Sequence, residues 1–240
     1  RRLMKYMGSK NRHAKELLSI VLKDRLHNQW YVEPFVGVFN MIDKVEGNRI
    51  ANDSHFYLIE LFKAIQEGWI PPSEISEETY NSIRKNKEFY PSRLVGFVGF
   101  GCSYSGKWFG GYARGNTSNG EARNYALESK KNLLKQNLEG IIIYNKSYFD
   151  LQVPKNSIIY CDPPYANTTK YKDDFDHEIF WNWVREQTKY HKIFVSEYSA
   201  PDDFECIWQK KVNNTLTKET GSKQGIERLF KMKESEYDEQ

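Results

Sequence analysis

The chain lacks most of the features that classify a protein quickly. Only three of its 240 residues are cysteine. Cys102, Cys161 and Cys206 lie far apart with no Cys-x-x-Cys pair, which argues against both a disulfide framework and a zinc site and leaves three reduced thiols. No apolar run approaches the roughly 20 residues that cross a bilayer, and no apolar signal core stands near the amino terminus, so no membrane partner and a cytoplasmic location are expected. No Gly-Lys-Ser/Thr signature follows a strand, which excludes a P-loop. The net charge is only +3, too small by itself to announce nucleic acid. What is present is 240 residues at 39% hydrophobic content, enough for one α/β domain with an insertion.

The charge is unevenly placed. Between Arg84 and Lys135 there are ten basic residues against three acidic. They are interleaved with Phe89, Tyr90, Phe97, Phe100, Tyr104, Trp108, Phe109, Tyr112 and Tyr125, and basic groups among rings and glycines suit phosphates and bases. The bland alternative is a solvated helix face over a small aromatic core. Residues 96–115 are rich in glycine and have no clear period, which reads as a long loop; its rings argue against disorder.

One stretch organises the rest. Ser157-Ile158-Ile159-Tyr160-Cys161-Asp162-Pro163-Pro164-Tyr165 runs β-formers into a carboxylate, two prolines and a ring. It reads as a buried parallel strand that stops at its carboxyl edge, where open α/β sheets keep their chemistry. The prolines cannot continue a ladder or begin a helix. A carboxylate and a free carbonyl are both acceptors, so together they suit a planar group with two N–H donors, and Tyr165 offers that group a flat surface.

Other elements follow from period and punctuation. A helix from about Asn11 carries Ala14, Leu17, Leu18, Val21 and Leu22 on one face, and residues 30–33 form a first strand that turns at Pro34-Phe35-Val36-Gly37. Residues 49–53 form a second strand, after which Asp53 or Ser54 caps a helix with Leu58, Leu61, Phe62 and Ile65 inward. A helix begins at Ser76, a longer one spans residues 122–138 and ends at Gly140, and residues 141–144 form a buried strand. Asp176 caps a helix with Ile179, Phe180, Trp183 and Val184 buried. Residues 192–196 form a strand, residues 207–212 and 226–230 a closing antiparallel pair, and the tail from Lys231 frays.

Four ordered motifs resemble the Dam-type DNA adenine methyltransferases. Lys5-Tyr6-Met7-Gly8-Ser9-Lys10 is similar to that family's amino-terminal cofactor motif, Glu33-Pro34-Phe35-Val36-Gly37 to its first sheet motif, Asn52-Asp53 to its ribose-binding acid, and Asp162-Pro163-Pro164-Tyr165 to its catalytic tetrad. The resemblance implies an α/β fold with a Rossmann-like methyltransferase sheet, helices on both faces, and an inserted, mainly helical and loop target-recognition lobe. It places the S-adenosylmethionine-binding catalytic domain at residues 1–68 and 122–240 and the lobe at 69–121. Tyr6, Lys10, Glu33, Pro34, Phe35, Gly37, Asp53, Ser147, Tyr148 and Asp162 are then the cofactor residues, and Lys5, Lys107, Arg114 and Arg123 the candidates for DNA contact. The implied activity is methyl transfer to N6 of a flipped-out adenine in double-stranded DNA by a monomer without a metal, in a bacterial or phage-infected cell and in the chemical company of restriction and modification. No Pro-Cys pair stands at the active edge, which argues against carbon methylation of cytosine through a thiolate. RNA adenine or the cytosine amine are alternative targets. Val38-Phe39-Asn40 stands where the family has small residues; the bulk is expected to narrow the cofactor pocket and motivates a further alternative, a nucleic-acid-binding protein that has lost turnover.

Overall fold

The computed structural model describes residues 13–164, 175–213 and 224–234. Its centre is a seven-stranded sheet in the order β3-β2-β1-β4-β5-β7-β6, made of β1 (Tyr31–Glu33), β2 (Arg49–Asn52), β3 (Ile141–Tyr144), β4 (Ile158–Cys161), β5 (Lys192–Glu197), β6 (Phe204–Asn213) and β7 (Gln224–Met232). β1 to β5 pair in parallel, while β7 runs antiparallel to both β5 and β6. The interior strands β1, β2 and β4 are buried along their whole length, because helices cover both faces and leave no polar side for alternation.

On one face, Tyr31, Ala51, Ile158, Tyr160, Phe194 and Leu229 pack under α1 (Ala14–Val21), α2 (Phe56–Gln66) and the segment that follows α2. On the other, Val32, Ile50, Ile159, Cys161, Ile193, Val195 and Phe230 pack under α6 (His177–Thr188). The strand order reverses between β1 and β4, with β2 and β3 stepping one way and β5 the other. In sheets of this kind the carboxyl ends of the strands at the switch point are the place where ligands bind.

The segment after α2 is joined to the same core. α3 (Glu77–Lys85) starts at Ser76, whose Oγ accepts from the Thr79 N–H at 3.1 Å. Glu77 and Glu78 in its first turn and Arg84 and Lys85 in its last match the helix dipole. α4 (Ser92–Gly96) runs directly into a π-helical turn at Phe97–Gly101, all of it buried. This corrects the reading of residues 96–115 as a long loop. The glycines serve close packing: a Cβ on Gly96 would lie 2.1 Å from the Tyr57 carbonyl oxygen, and one on Gly99 would lie 2.2 Å from the Trp108 ring.

Other expectations also need correction. α5 covers Tyr125–Leu133 with Asn124 as its cap, shorter than residues 122–138, and Gly140 sits in the turn before β3 with φ +70°. β3 is an edge strand with Ile142 exposed, not a buried one. Asp176 does cap α6, accepting from the Ile179 N–H at 2.9 Å, but Ile179 itself is exposed and Trp181 takes its place inside. Lys231 is held within β7, paired with Glu205 across the ladder and with Glu234. Among the described residues no helix is long and apolar enough to cross a membrane.

Candidate active site

Two of the sequence motifs meet at the switch point. β1 and β4 pair with Tyr31 beside Ile158 and Val32 beside Ile159. Their carboxyl ends therefore present Glu33-Pro34-Phe35 and Asp162-Pro163-Pro164 on adjacent strands, about 5 Å apart in a sheet. Asp162 is partly exposed just beyond β4, while Pro163 is buried. Tyr165 lies outside the described residues, as do Lys5, Tyr6, Lys10 and the polar stretch 166–174.

On one face of this edge the groups beneath Asp162 are polar and buried. The Tyr31 hydroxyl donates to Glu33 Oε1 at 2.9 Å, and the Tyr160 hydroxyl shares a hydrogen bond with Ser196 Oγ at 2.7 Å. Burial pushes the Glu33 carboxyl well above the usual carboxylate range; the Tyr31 hydrogen bond opposes this and the Asp162 charge adds to it. Glu33 is only 2% exposed at the end of β1.

The opposite face is aromatic. The Phe35 and Tyr148 rings lie 5.1 Å apart, with Phe175 5.8 Å and 5.9 Å from them and Phe180 5.8 Å from each. Ser147 starts the 3-10 turn Tyr148–Asp150, its Oγ accepting from the Phe149 N–H at 3.3 Å. The turn brings Tyr148 to Phe35 from the end of β3, while Phe149 remains exposed. Near this face the Glu197 carboxylate, 1% exposed at the end of β5, lies 3.9 Å from His177 Nδ1. Glu197, a carboxylate closing an apolar strand at the same edge, reads from sequence as a wall of the adenine pocket; His177 carries no such signal.

Asp53 follows β2. Its Oδ2 accepts from the Gly37 N–H at 3.1 Å and its Oδ1 from the His55 N–H at 2.9 Å. Gly37 has φ +52°, a conformation natural to glycine that turns its N–H toward the acid. Burial raises the pKa of Asp53 and the backbone N–H groups of His55, Gly37 and Ser54 pull it back. Neither Asp53 nor Ser54 caps α2: His55 does, its Nδ1 accepting from the Leu58 N–H at 3.3 Å. The bulky residues after Gly37 join the core cluster. Val38 and Phe39 are buried in the core, with Phe39 stacked on Phe62 at 4.0 Å between ring centroids.

Of the basic residues singled out for DNA contact, Lys107 and Arg114 belong to the segment after α2 and Arg123 to its border. Lys107 is exposed, Arg114 pairs with Glu77 at 2.5 Å, and Arg123 pairs with Glu128. Among the described residues no group of three or more His, Cys, Asp or Glu side chains could hold a metal ion.

Residues 6–95 match the family model of the D12 class N6 adenine-specific DNA methyltransferases. Over those residues the chain resembles that family. The type II methyltransferase M.FokI of Planomicrobium okeanokoites is 22% identical over 208 residues, covering 76% of this chain. The chain spans about a third of that relative's length, 32%. Among solved structures, a putative class I S-adenosylmethionine-dependent methyltransferase from Listeria monocytogenes is 10% identical with a TM-score of 0.42, covering 97% of this chain and 62% of that one. A putative methylase from Haemophilus influenzae is 11% identical with a TM-score of 0.37, covering 94% and 100%. The matched stretch of the D12 family model contains the β1 turn and Asp53, and the tetrad lies beyond it.

Proposed function

We propose that this chain transfers a methyl group from S-adenosylmethionine to N6 of adenine in double-stranded DNA. The observation that carries the reading is the meeting of Asp162-Pro163-Pro164 with the Phe35–Gly37 turn at the switch point of a parallel sheet. The match of residues 6–95 to an adenine-specific DNA methyltransferase family supports it.

The residues at this edge suit that cofactor. A carboxylate has about four lone-pair positions, and Asp53 spends some of them on the Gly37, His55 and Ser54 N–H groups, leaving room for a ribose hydroxyl. Phe35 and Tyr148 offer ring faces for an adenine, and Ser147 stands beside them. Tyr6 and Lys10 complete the set by the motif they share with the Dam-type enzymes. When bound, S-adenosylmethionine supplies an activated methyl group.

The target amine is a poor nucleophile because its lone pair is delocalised into the ring. Asp162 and the Pro163 carbonyl accept its two hydrogens, which favours a pyramidal nitrogen and localises the lone pair. Alignment and preorganised acceptors then lower the barrier to direct displacement. A base within a duplex cannot reach this edge, so the target nucleotide is flipped out, and Tyr165 stacks on it. Residues 69–121, with Lys107 and Arg114, and Arg123 beside them, form the surface that meets the duplex, and Lys5 adds a contact from the amino-terminal motif.

Incubation of the purified chain with methyl-labelled S-adenosylmethionine and duplex DNA, single-stranded DNA or RNA, followed by nucleoside analysis, tests the reading. N6-methyladenine is expected in duplex DNA. Asp162→Ala should abolish it with the fold intact, a loss of at least about 10²-fold, the scale of one removed transition-state acceptor. Label in N4-methylcytosine, label in RNA alone, or near-normal turnover by Asp162→Ala would each overturn it.

A further inference from the structure

Three loops leave the carboxyl edge at β1, β2 and β3, and one buried side chain ties them together. Asn52, the last residue of β2, is 1% exposed. Its Nδ2 donates to the Pro34 carbonyl at 3.0 Å and to the Lys146 carbonyl at 3.0 Å, and its Oδ1 accepts from the Lys146 N–H at 3.0 Å. Its own carbonyl accepts from the Val36 N–H at 2.8 Å. Next to it Asp53 holds the Gly37 N–H, while Asn145 Nδ2 donates to the Asp53 carbonyl at 2.8 Å. Residues 34–37, 52–55 and 145–148 thus form one stitched unit.

A buried amide that merely satisfied itself would need only its own strand neighbours. The Asn52 amide instead spends three bonds on the backbones of two loops, 18 and 94 residues away in sequence. Those loops carry Phe35 and Gly37 on one side and Ser147 and Tyr148 on the other. The chemistry demands asparagine. Aspartate would turn two acceptors on two carbonyls, and an apolar residue would leave three backbone groups unpaired.

We infer that Asn52 is the positioning residue for donor binding, holding in register the loops that grip the two ends of S-adenosylmethionine. This rests on the proposed function, because it assigns the carboxyl edge to that donor. Asn52 acts through the backbone of 34–37 and 145–148 and touches no reacting atom.

The test compares the full chain with Asn52→Asp and Asn52→Ala by four measurements: calorimetric titration with S-adenosylmethionine, methyl transfer at saturating donor, anisotropy with duplex DNA, and hydrogen exchange. Asn52→Asp should weaken donor binding roughly tenfold or more, the scale of one buried polar group left unpaired. Turnover at saturating donor should stay within about threefold, since uniform binding is lost and the transition state is not. Duplex affinity should hold, and exchange should rise at Val36, Gly37 and Lys146 while the amides of α3 keep their protection. Lowering the pH should narrow the gap between Asn52→Asp and wild type, because a protonated carboxyl regains one donor for a carbonyl while still accepting from the Lys146 N–H. Wild-type donor affinity in folded Asn52→Asp, or protection lost evenly across the chain, overturns the inference alone. Should the wild type fail to bind S-adenosylmethionine, the proposed function falls first and the inference with it, a result seen before any variant is compared.

Discussion

The carboxyl edge of the sheet and the segment 69–121 both combine ring packing with side-chain hydrogen bonds, and the edge loops are tied to one another mainly by the hydrogen bonds. At the edge, side-chain amides and carboxylates bind backbone: Asn52 to Pro34 and Lys146, Asp53 to Gly37 and His55, Asn145 to Asp53. In the segment, rings pack on rings, with Trp108 4.7 Å from both Phe100 and Phe109, and Tyr80 5.4 Å from Phe109. Directional bonds fix where a loop points; ring packing fixes how close two helices come. On the proposed function, a donor that must be aligned to within a fraction of an ångström is held at the first, and a surface laid against a duplex needs only the second. The two regions meet at His55, whose N–H bonds Asp53 and whose ring stands 4.9 Å from Phe100 and 4.5 Å from Trp108.

The largest effect that would test this division comes from Phe39→Ala. Phe39 stands in the turn beside Gly37 yet stacks on Phe62, so it belongs to the core. Its truncation should cost about 3–5 kcal/mol, as for a buried phenylalanine in general, with donor affinity in the folded fraction little changed. Denaturant unfolding alongside donor titration checks both; a stable variant that bound donor far better would return Phe39 to the pocket and revive the non-enzyme alternative. A smaller effect comes from Gly99→Ala, which puts a methyl 2.2 Å from the Trp108 ring. Over-packing of this kind costs about 1–3 kcal/mol. Duplex binding should weaken and donor binding hold, and equal loss of both would show that the regions are not separable.

How far the sequence disclosed this follows the same division. Parallel strands buried on both faces are often written as apolar runs, so β4 was legible; β2, Arg49-Ile50-Ala51-Asn52, is marked instead by the acid that follows it, and α3 by Ser76. The same rule misled at β3, where Ile141-Ile142-Ile143 reads as interior but forms an edge. Asn52 stands in a recognised motif, but the tie it makes has no sequence signature, because its partners are distant in sequence and are backbone groups. His55 as a cap was missed because histidine is not among the side chains expected there. Glycines in 96–115 read as a long loop, yet Gly96 and Gly99 are glycine because Tyr57 and Trp108 leave no room for a Cβ. A sequence cannot distinguish a glycine that bends from one that lets two surfaces touch.

Below these lies a pH effect confined to the edge. Burial raises the Glu33 carboxyl, so the folded chain holds a proton there that the unfolded chain releases at lower pH. Between the ordinary carboxylate range and the raised folded value the native state binds more protons, and stability contributed through this group falls as pH rises. Glu33→Gln keeps an acceptor for the Tyr31 hydroxyl and removes the titration. The difference in melting temperature between wild type and variant should therefore grow with pH in the variant's favour, and a constant difference would mean that Glu33 titrates as an ordinary surface acid.

The smallest effect separates stability from binding at the surface of the inserted segment. The Arg114 side chain is 70% exposed in its pair with Glu77, and such pairs contribute at most about 1 kcal/mol. Arg114→Ala should leave the melting temperature nearly unchanged. If the guanidinium meets a phosphate, the slope of log affinity against log salt for duplex DNA should drop by about one, with the loss uniform across sequences. A melting temperature that fell while the salt slope stayed put would make Arg114 a strut for α3, and the DNA face would then have to be sought at Lys107 and the exposed Tyr104 ring.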